Sequence, residues 1–385
     1  MNRINCLLTF LRLLAMSCAL IVGALTCDEA LARGSSERGC VRTLEVDDFP
    51  LVSGGVQTAQ GEILLTAYLD GQILRLSPQG EVLERHRHRA VDPLGVGRPS
   101  VIRSAEGGFA VQDSMSGWAW TDGNLVPQAG VHFPQSSSST GLQPPLVQLA
   151  VWDFYPAGRD IFVFGYIRRE GEAHAERYFA LVTVVDSRVA PKKVIEKVDA
   201  YAPSSRFYGM SLPLLAAAGG GVFGLRFDQT HSILRLDQPE LSPQSFPAGF
   251  RKTAVLPESP GSPEGSRLGA EAIEAMTLPR ALYGRGKFLY LLTRSPERGG
   301  TAWHLHQIDP FADRLVRTVR LPSSAQGLIL VPGPEHWILL EQGGMGEYGR
   351  PIIGWVNLPS EWIEDSASMV LTGEQPIQCA PSQVR

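Results

Sequence analysis

The chain has 385 residues, 44% of them hydrophobic and 19% charged, with a formal net charge of −4. That is ample material for a large core, and the charge balance gives no reason to expect a nucleic-acid partner. Forty glycines and 28 prolines make the chain turn-rich, which favours many short strands.

The first residues read as an export signal. Arg3 supplies a positive start, residues 13–26 form a short apolar run, and Ala30-Leu31-Ala32 fits the small-x-small cleavage rule. Cleavage after Ala32 makes 1–32 a signal peptide and leaves 33–385 as one mature domain, periplasmic or secreted. Arg12 interrupts the apolar run, so no stable membrane span is expected after signal removal. A lipoprotein alternative would use Cys27, but Thr26 is a poor neighbour for that processing. Cys6, Cys18 and Cys27 leave with the signal, and the mature chain keeps Cys40 and Cys379. An even pair in an oxidising compartment suggests a disulfide; the alternative is two separate thiols.

Residues 41–47 (VRTLEVD) alternate as a lone strand without a hairpin partner. Residues 61–88 (GEILLTAYLDGQILRLSPQGEVLERHRH) then read as three strands separated by tight turns at Asp70-Gly71 and Pro78-Gln79-Gly80. The first of the three is nearly continuously apolar, while the last is highly charged. This rising polarity is that of a propeller blade, packed inside and solvated outside.

Related units follow. The second has strands predicted at 100–103, 108–112, 117–120 and 125–133, and the third at 146–152, 161–167, 178–185 and 193–198. The fourth takes 212–217, 221–227, 232–236 and 250–256. Its Ile233-Leu234-Arg235-Leu236 repeats Ile73-Leu74-Arg75-Leu76. A fifth unit has 288–293, 303–308 and 314–321, and a sixth 327–331, 337–340 and 352–356. Second strands recur about every 45 to 67 residues, as four strands plus variable loops require. The sixth unit lacks a fourth strand, which residues 41–47 can supply. The expected fold is all-β, a six-bladed β-propeller closed by an N-terminal strand, which also brings Cys40 towards Cys379.

Phe109-Ala110-Val111-Gln112-Asp113-Ser114 looks like the inner-strand ending of the NHL-repeat and lactonase-like (TolB-like) propellers, and Ile308-Asp309-Pro310 like their third-strand turn. The mature chain resembles that group by pattern. The resemblance implies that loops after each second strand share one mouth of the central channel. Second strands end near Tyr68, Asp113, Tyr166, Arg226, Arg294 and Glu341, a ring of mixed charge suited to a cation or to an anionic or sugar-like ligand. The same resemblance implies a divalent metal held by acidic and amide groups, for which Asp113 and Glu264 are the matching positions; no asparagine stands at a second-strand end.

Other patterns read more plainly. Glu84-x-His86-x-His88 and His304-x-His306 have metal-ligand spacing on a strand, but exposed outer-strand positions explain the first group. Arg85, Arg87 and Arg89 suit a solvated edge. Gly344-x-Gly346-x-x-Gly349 is followed by Pro351 and a strand, so it is a loop and not a dinucleotide site. The seven tryptophans are spread over the units, as packing between blades requires. The expected function is a binding module whose ligand, a small molecule or a protein, enters at the channel mouth; the alternative is a metal-dependent propeller hydrolase or lactonase. The sequence names no cofactor.

Overall fold

The computed structural model describes residues 41–44, 52–67, 71–87, 99–113, 117–133, 146–158, 160–169, 176–185, 188–198, 214–226, 232–240, 244–245, 277–297, 300–342, 352–360 and 363. Within them the chain forms six antiparallel blades. Blade 1 contains β2 (Gly54–Gln57), β3 (Ile63–Ala67), β4 (Gln72–Leu76) and β5 (Val82–Arg87). Blade 2 contains β6 (Pro99–Ala105), β7 (Gly108–Asp113), β8 (Gly117–Asp122) and β9 (Pro127–His132). Blade 3 has the longest strands, β10 (Leu146–Ala157), β11 (Asp160–Arg169), β12 (Glu176–Val185) and β13 (Arg188–Val198). Blade 4 is β14 (Leu215–Ala218), β15 (Gly221–Arg226), β16 (Ser232–Arg235) and β17 (Gln244–Ser245). Blade 5 is β18 (Leu278–Arg285), β19 (Phe288–Glu297), β20 (Gly300–Asp309) and β21 (Arg314–Arg320). Blade 6 has β22 (Gly327–Val331), β23 (His336–Gln342) and β24 (Ile352–Pro359).

The fourth strand of blade 6 is β1 (Val41–Leu44), which pairs antiparallel with β24, Val41 opposite Asn357 and Leu44 opposite Gly354. Cys40, Cys379 and residues 1–32 lie outside the described residues. The outer strands of blades 2 and 3 also meet, through a parallel bridge between Arg188 and His132.

Three strand assignments differ from the sequence reading. The first strands of blades 1 and 5, β2 and β18, carry weak local strand signals, GGVQ and LPRALYGR. Tertiary pairing makes them strands. At Gly55 a Cβ would come within 2.6 Å of a Leu65 methyl and 3.0 Å of the Leu64 carbonyl oxygen, so a side chain here would push neighbouring groups aside. The third difference lies in blade 4: Gln244–Ser245 is what pairs with β16, whereas residues 250–256 lie outside the described residues.

Turn chemistry repeats from blade to blade. The Ser77 hydroxyl accepts hydrogen bonds from the N–H groups of Gln79 and Glu81, while Gly80 N–H donates to the Ser77 carbonyl. Thr58 does the same for Gln60, Glu62 and Gly61, and Asp122 for Asn124, Val126 and Leu125. In each turn the fourth residue has positive φ: 82° at Gly61, 92° at Gly80 and 62° at Leu125. This is a hairpin turn with a left-handed residue before the returning strand.

The core is divided among apolar clusters between neighbouring blades. Trp118 fills the junction of blades 2 and 3 beside Phe133 and Phe154, at ring-centroid distances of 4.5 Å and 5.6 Å. Trp337 and Tyr290 fill that of blades 5 and 6. Polarity rises outward as expected: β3 is wholly buried, whereas β5 is exposed at all but one position.

The repeated Ile-Leu-Arg-Leu explains itself here. From β4, Arg75 reaches the Gly123 carbonyl, 2.6 Å away, in the outer turn of blade 2. From β16, Arg235 lies over the Phe311 ring, 5.1 Å away, in the outer turn of blade 5. Each arginine therefore holds the corresponding turn of the next blade. Blade 6 grips blade 1 in the same place, where Asn357 donates to the Pro78 carbonyl and the Trp355 ring lies against Gly80.

Candidate functional site

All blades repeat one up-and-down order, so their second strands run the same way and end at one side of the ring. β7 ends at Asp113 and β15 at Arg226. β23 runs one residue beyond Glu341, while β11 and β19 continue three residues past Tyr166 and Arg294. Those last two therefore sit within strands, Tyr166 opposite Ala150 and Arg294 opposite Leu278, and are not strand ends as the sequence reading had them. Tyr68, Glu264, His88, the loops 135–145 and 257–269, and residues 344–349 lie outside the described residues.

The predicted ring divides by role. Asp113 and Glu341 are carboxylates held in nearly dry positions, 6% and 2% exposed. Arg226 pairs with Glu196 of β13 at 3.0 Å, which ties the second strand of blade 4 to the outer strand of blade 3. Tyr166 stands edge-on to Trp152, ring centroids 4.5 Å apart. Arg294 has a second guanidinium near it: Arg280, in the irregular step of β18 between Pro279 and Ala281. Burial, and secondarily the Arg294 charge, pull the Arg280 pKa down to about 10.

A bulge recurs on first strands at this side of the ring. β6 slips between Pro99 and Val101, β10 between Val151 and Asp153, and β18 between Pro279 and Ala281. Bulges re-aim side chains, here Ser100, Trp152 and Arg280. Blade 1 is joined to blade 2 at that point by hydroxyls. Ser53 and Thr66 both donate to the Ser100 carbonyl, at 2.8 Å and 3.2 Å.

Deeper in the ring lies a charged pair that sequence reasoning missed. Asp153 of β10 is fully buried. Its carboxylate accepts from Arg103 Nη2 of β6, at 2.6 Å and 2.8 Å, and from the N–H groups of Phe154, Leu214 and Leu215. One side chain thus joins blades 2, 3 and 4. The available signal was a lone acid inside the apolar stretch Val151-Trp152-Asp153-Phe154-Tyr155, which demands an opposite charge from another first strand.

The histidine patterns have structural roles. His306 is enclosed between two hydroxyls, Thr293 Oγ1 at 2.9 Å from Nε2 and Thr318 Oγ1 at 2.8 Å from Nδ1. Both ring nitrogens are engaged, so His304-x-His306 is not a free ligand pair. Glu84 and His86 pair with each other at 2.8 Å on the exposed strand β5. Among the described residues no three His, Cys, Asp or Glu side chains come together as a metal-binding group.

No family model matches the chain, and no curated protein matches it. Solved structures similar to it include virginiamycin B lyase from Staphylococcus aureus, 9% identical, with 83% of this chain and 98% of that chain covered and a TM-score of 0.42. The calcium-binding protein regucalcin from Agrobacterium tumefaciens is 11% identical, with coverage of 83% and 92% and a TM-score of 0.40. Apo AztD from Citrobacter koseri is 9% identical, with coverage of 84% and 96% and a TM-score of 0.41. The six blades rest on the strand pairing described above, and these likenesses carry neither ligand nor activity to this chain.

Proposed function

We propose that this chain is an exported β-propeller that binds a small-molecule or protein ligand at the mouth formed by the second-strand ends. One observation carries the reading: charged side chains gather on that side of the ring, with Asp113 and Glu341 buried on two blades and Arg280 and Arg294 half-buried on a third. Holding charges out of water costs free energy, and such residues cluster where a ligand is recognised. Arg226 takes a lesser part than the sequence suggested, because its guanidinium is engaged with Glu196.

Thermal-shift screening of the mature protein against metal ions, organic acids and sugars is the first measurement. For a hit found there, Arg294→Ala is expected to weaken binding about tenfold, the loss of one charged hydrogen bond, while the urea midpoint stays close to wild type. Unchanged affinity in that variant removes Arg294 and its mouth from the proposal. The export part is tested separately, by mass spectrometry of protein recovered from a secreting host. The expected first residue is Arg33, and a chain retaining Met1 refutes export with cleavage.

A further inference from the structure

The innermost strands β2, β6, β10, β14 and β18 touch in succession, and β22 returns to β2. Inside that ring the Arg103–Asp153 pair is asymmetric in what it satisfies. Both contacts to the carboxylate come from Nη2, and Nε is buried without an acceptor among the described residues. Asp153 cannot turn to serve it, since its two oxygens also hold the N–H groups of Phe154, Leu214 and Leu215. A guanidinium has five N–H donors. Two positions of this one, Nε and Nη1, are left to something other than Asp153.

Two phenols share the region. Tyr155 follows Asp153 by two residues on the same strand and so lies on the same face. It is half-buried, with its pKa raised by burial and lowered in part by the Arg103 charge. Tyr283, on the first strand of blade 5, also feels that charge, although Arg103 belongs to blade 2. From blade 2 the guanidinium reaches the blade 3 carboxylate that also holds the first N–H groups of blade 4. Tyr283 accepts from the Leu330 N–H, which leaves its own O–H to donate. Around Arg103 the capacity left over is predominantly donor capacity, and its natural complement is an oxyanion.

We propose that the ring interior at Arg103 and Tyr155 binds the oxyanion group, carboxylate or phosphate, of a small ligand. The site lies towards the starts of the second strands, with Arg103 opposite Ala110 and Tyr155 opposite Phe162, whereas Asp113 ends β7 and Arg294 lies in the latter half of β19, so the two sites are separate. It goes beyond the mouth reading and can fail independently of it.

The test is isothermal titration of the mature protein with sodium acetate and with inorganic phosphate, at constant ionic strength with chloride as the control. Saturable binding of at least one anion is expected, and which one binds tells carboxylate from phosphate recognition. Tyr155→Phe keeps the packed ring and removes the hydroxyl, so it should weaken that binding about tenfold with an unchanged melting temperature. Arg294→Ala should leave it intact. The proposal is overturned if neither anion binds above chloride, or if Tyr155→Phe binds as tightly as wild type. Loss of binding in Arg294→Ala with Tyr155→Phe unaffected overturns it too, by locating the anion at the mouth.

Discussion

Asp153→Ala is expected to lower the stability of the protein by about 3–5 kcal/mol, the usual effect of removing one partner of a buried ion pair. Three costs fall together. Arg103 loses its counter-charge while its guanidinium stays largely enclosed, with 16% of the side chain exposed. The N–H groups of Leu214 and Leu215 lose the acceptor that fixes the start of blade 4 to blade 3. The Phe154 N–H loses its acceptor as well. Asp153→Asn keeps one acceptor oxygen and should fall between wild type and alanine. Urea unfolding followed by tryptophan fluorescence measures the series. An alanine variant within about 0.5 kcal/mol of wild type, the range of ordinary surface substitutions, would show that Asp153 does not hold the blades together.

The second large effect is acid sensitivity from His306. Burial, and secondarily the nearby His304, push its pKa down to about 3 in the folded protein, against an ordinary value near 6.5. Between these values the unfolded chain binds a proton that the folded chain does not. The stability contributed by neutral His306 is therefore fully present above about pH 6.5 and is lost progressively as pH falls towards 3. The slope approaches 1.4 kcal/mol per pH unit, and the whole window amounts to about 5 kcal/mol. His304, also lowered by burial, acts in the same direction. Hydrogen bonding does not oppose protonation, because the hydroxyls of Thr293 and Thr318 can accept as well as donate; burial does. Urea midpoints at pH 7.5 and pH 5 should separate more widely for wild type than for His306→Gln, which bonds both threonines but does not titrate. Equal separation in the two proteins would refute the assignment.

Much of the architecture was legible in short stretches of sequence, for a physical reason: strand period and turn chemistry act over a few residues. The apolar run Ile63-Leu64-Leu65, the positive-φ positions Gly71 and Gly80, and the charged outer strand that follows state the form of a blade without reference to anything distant. The recurrence of that form carried the all-β class and the blade number. The first strands Gly54–Gln57 and Leu278–Arg285 escaped because their own residues have little strand preference and become strands only on pairing. The predicted ligand ring was legible as a set of second-strand positions, but what each side chain meets was not. Arg226 is turned to Glu196, 30 residues earlier, and Arg280 is brought beside Arg294 by a bulge that no local pattern announces. The Arg103–Asp153 pair joins residues 50 apart, from two strands of different blades. Which charge a buried charge finds depends on how blades stack around the ring, and that relation exists only once the ring has formed. The sequence by itself determined the kind of blade, its turns and their repetition; the tertiary structure alone decided which polar groups the blades bring together inside.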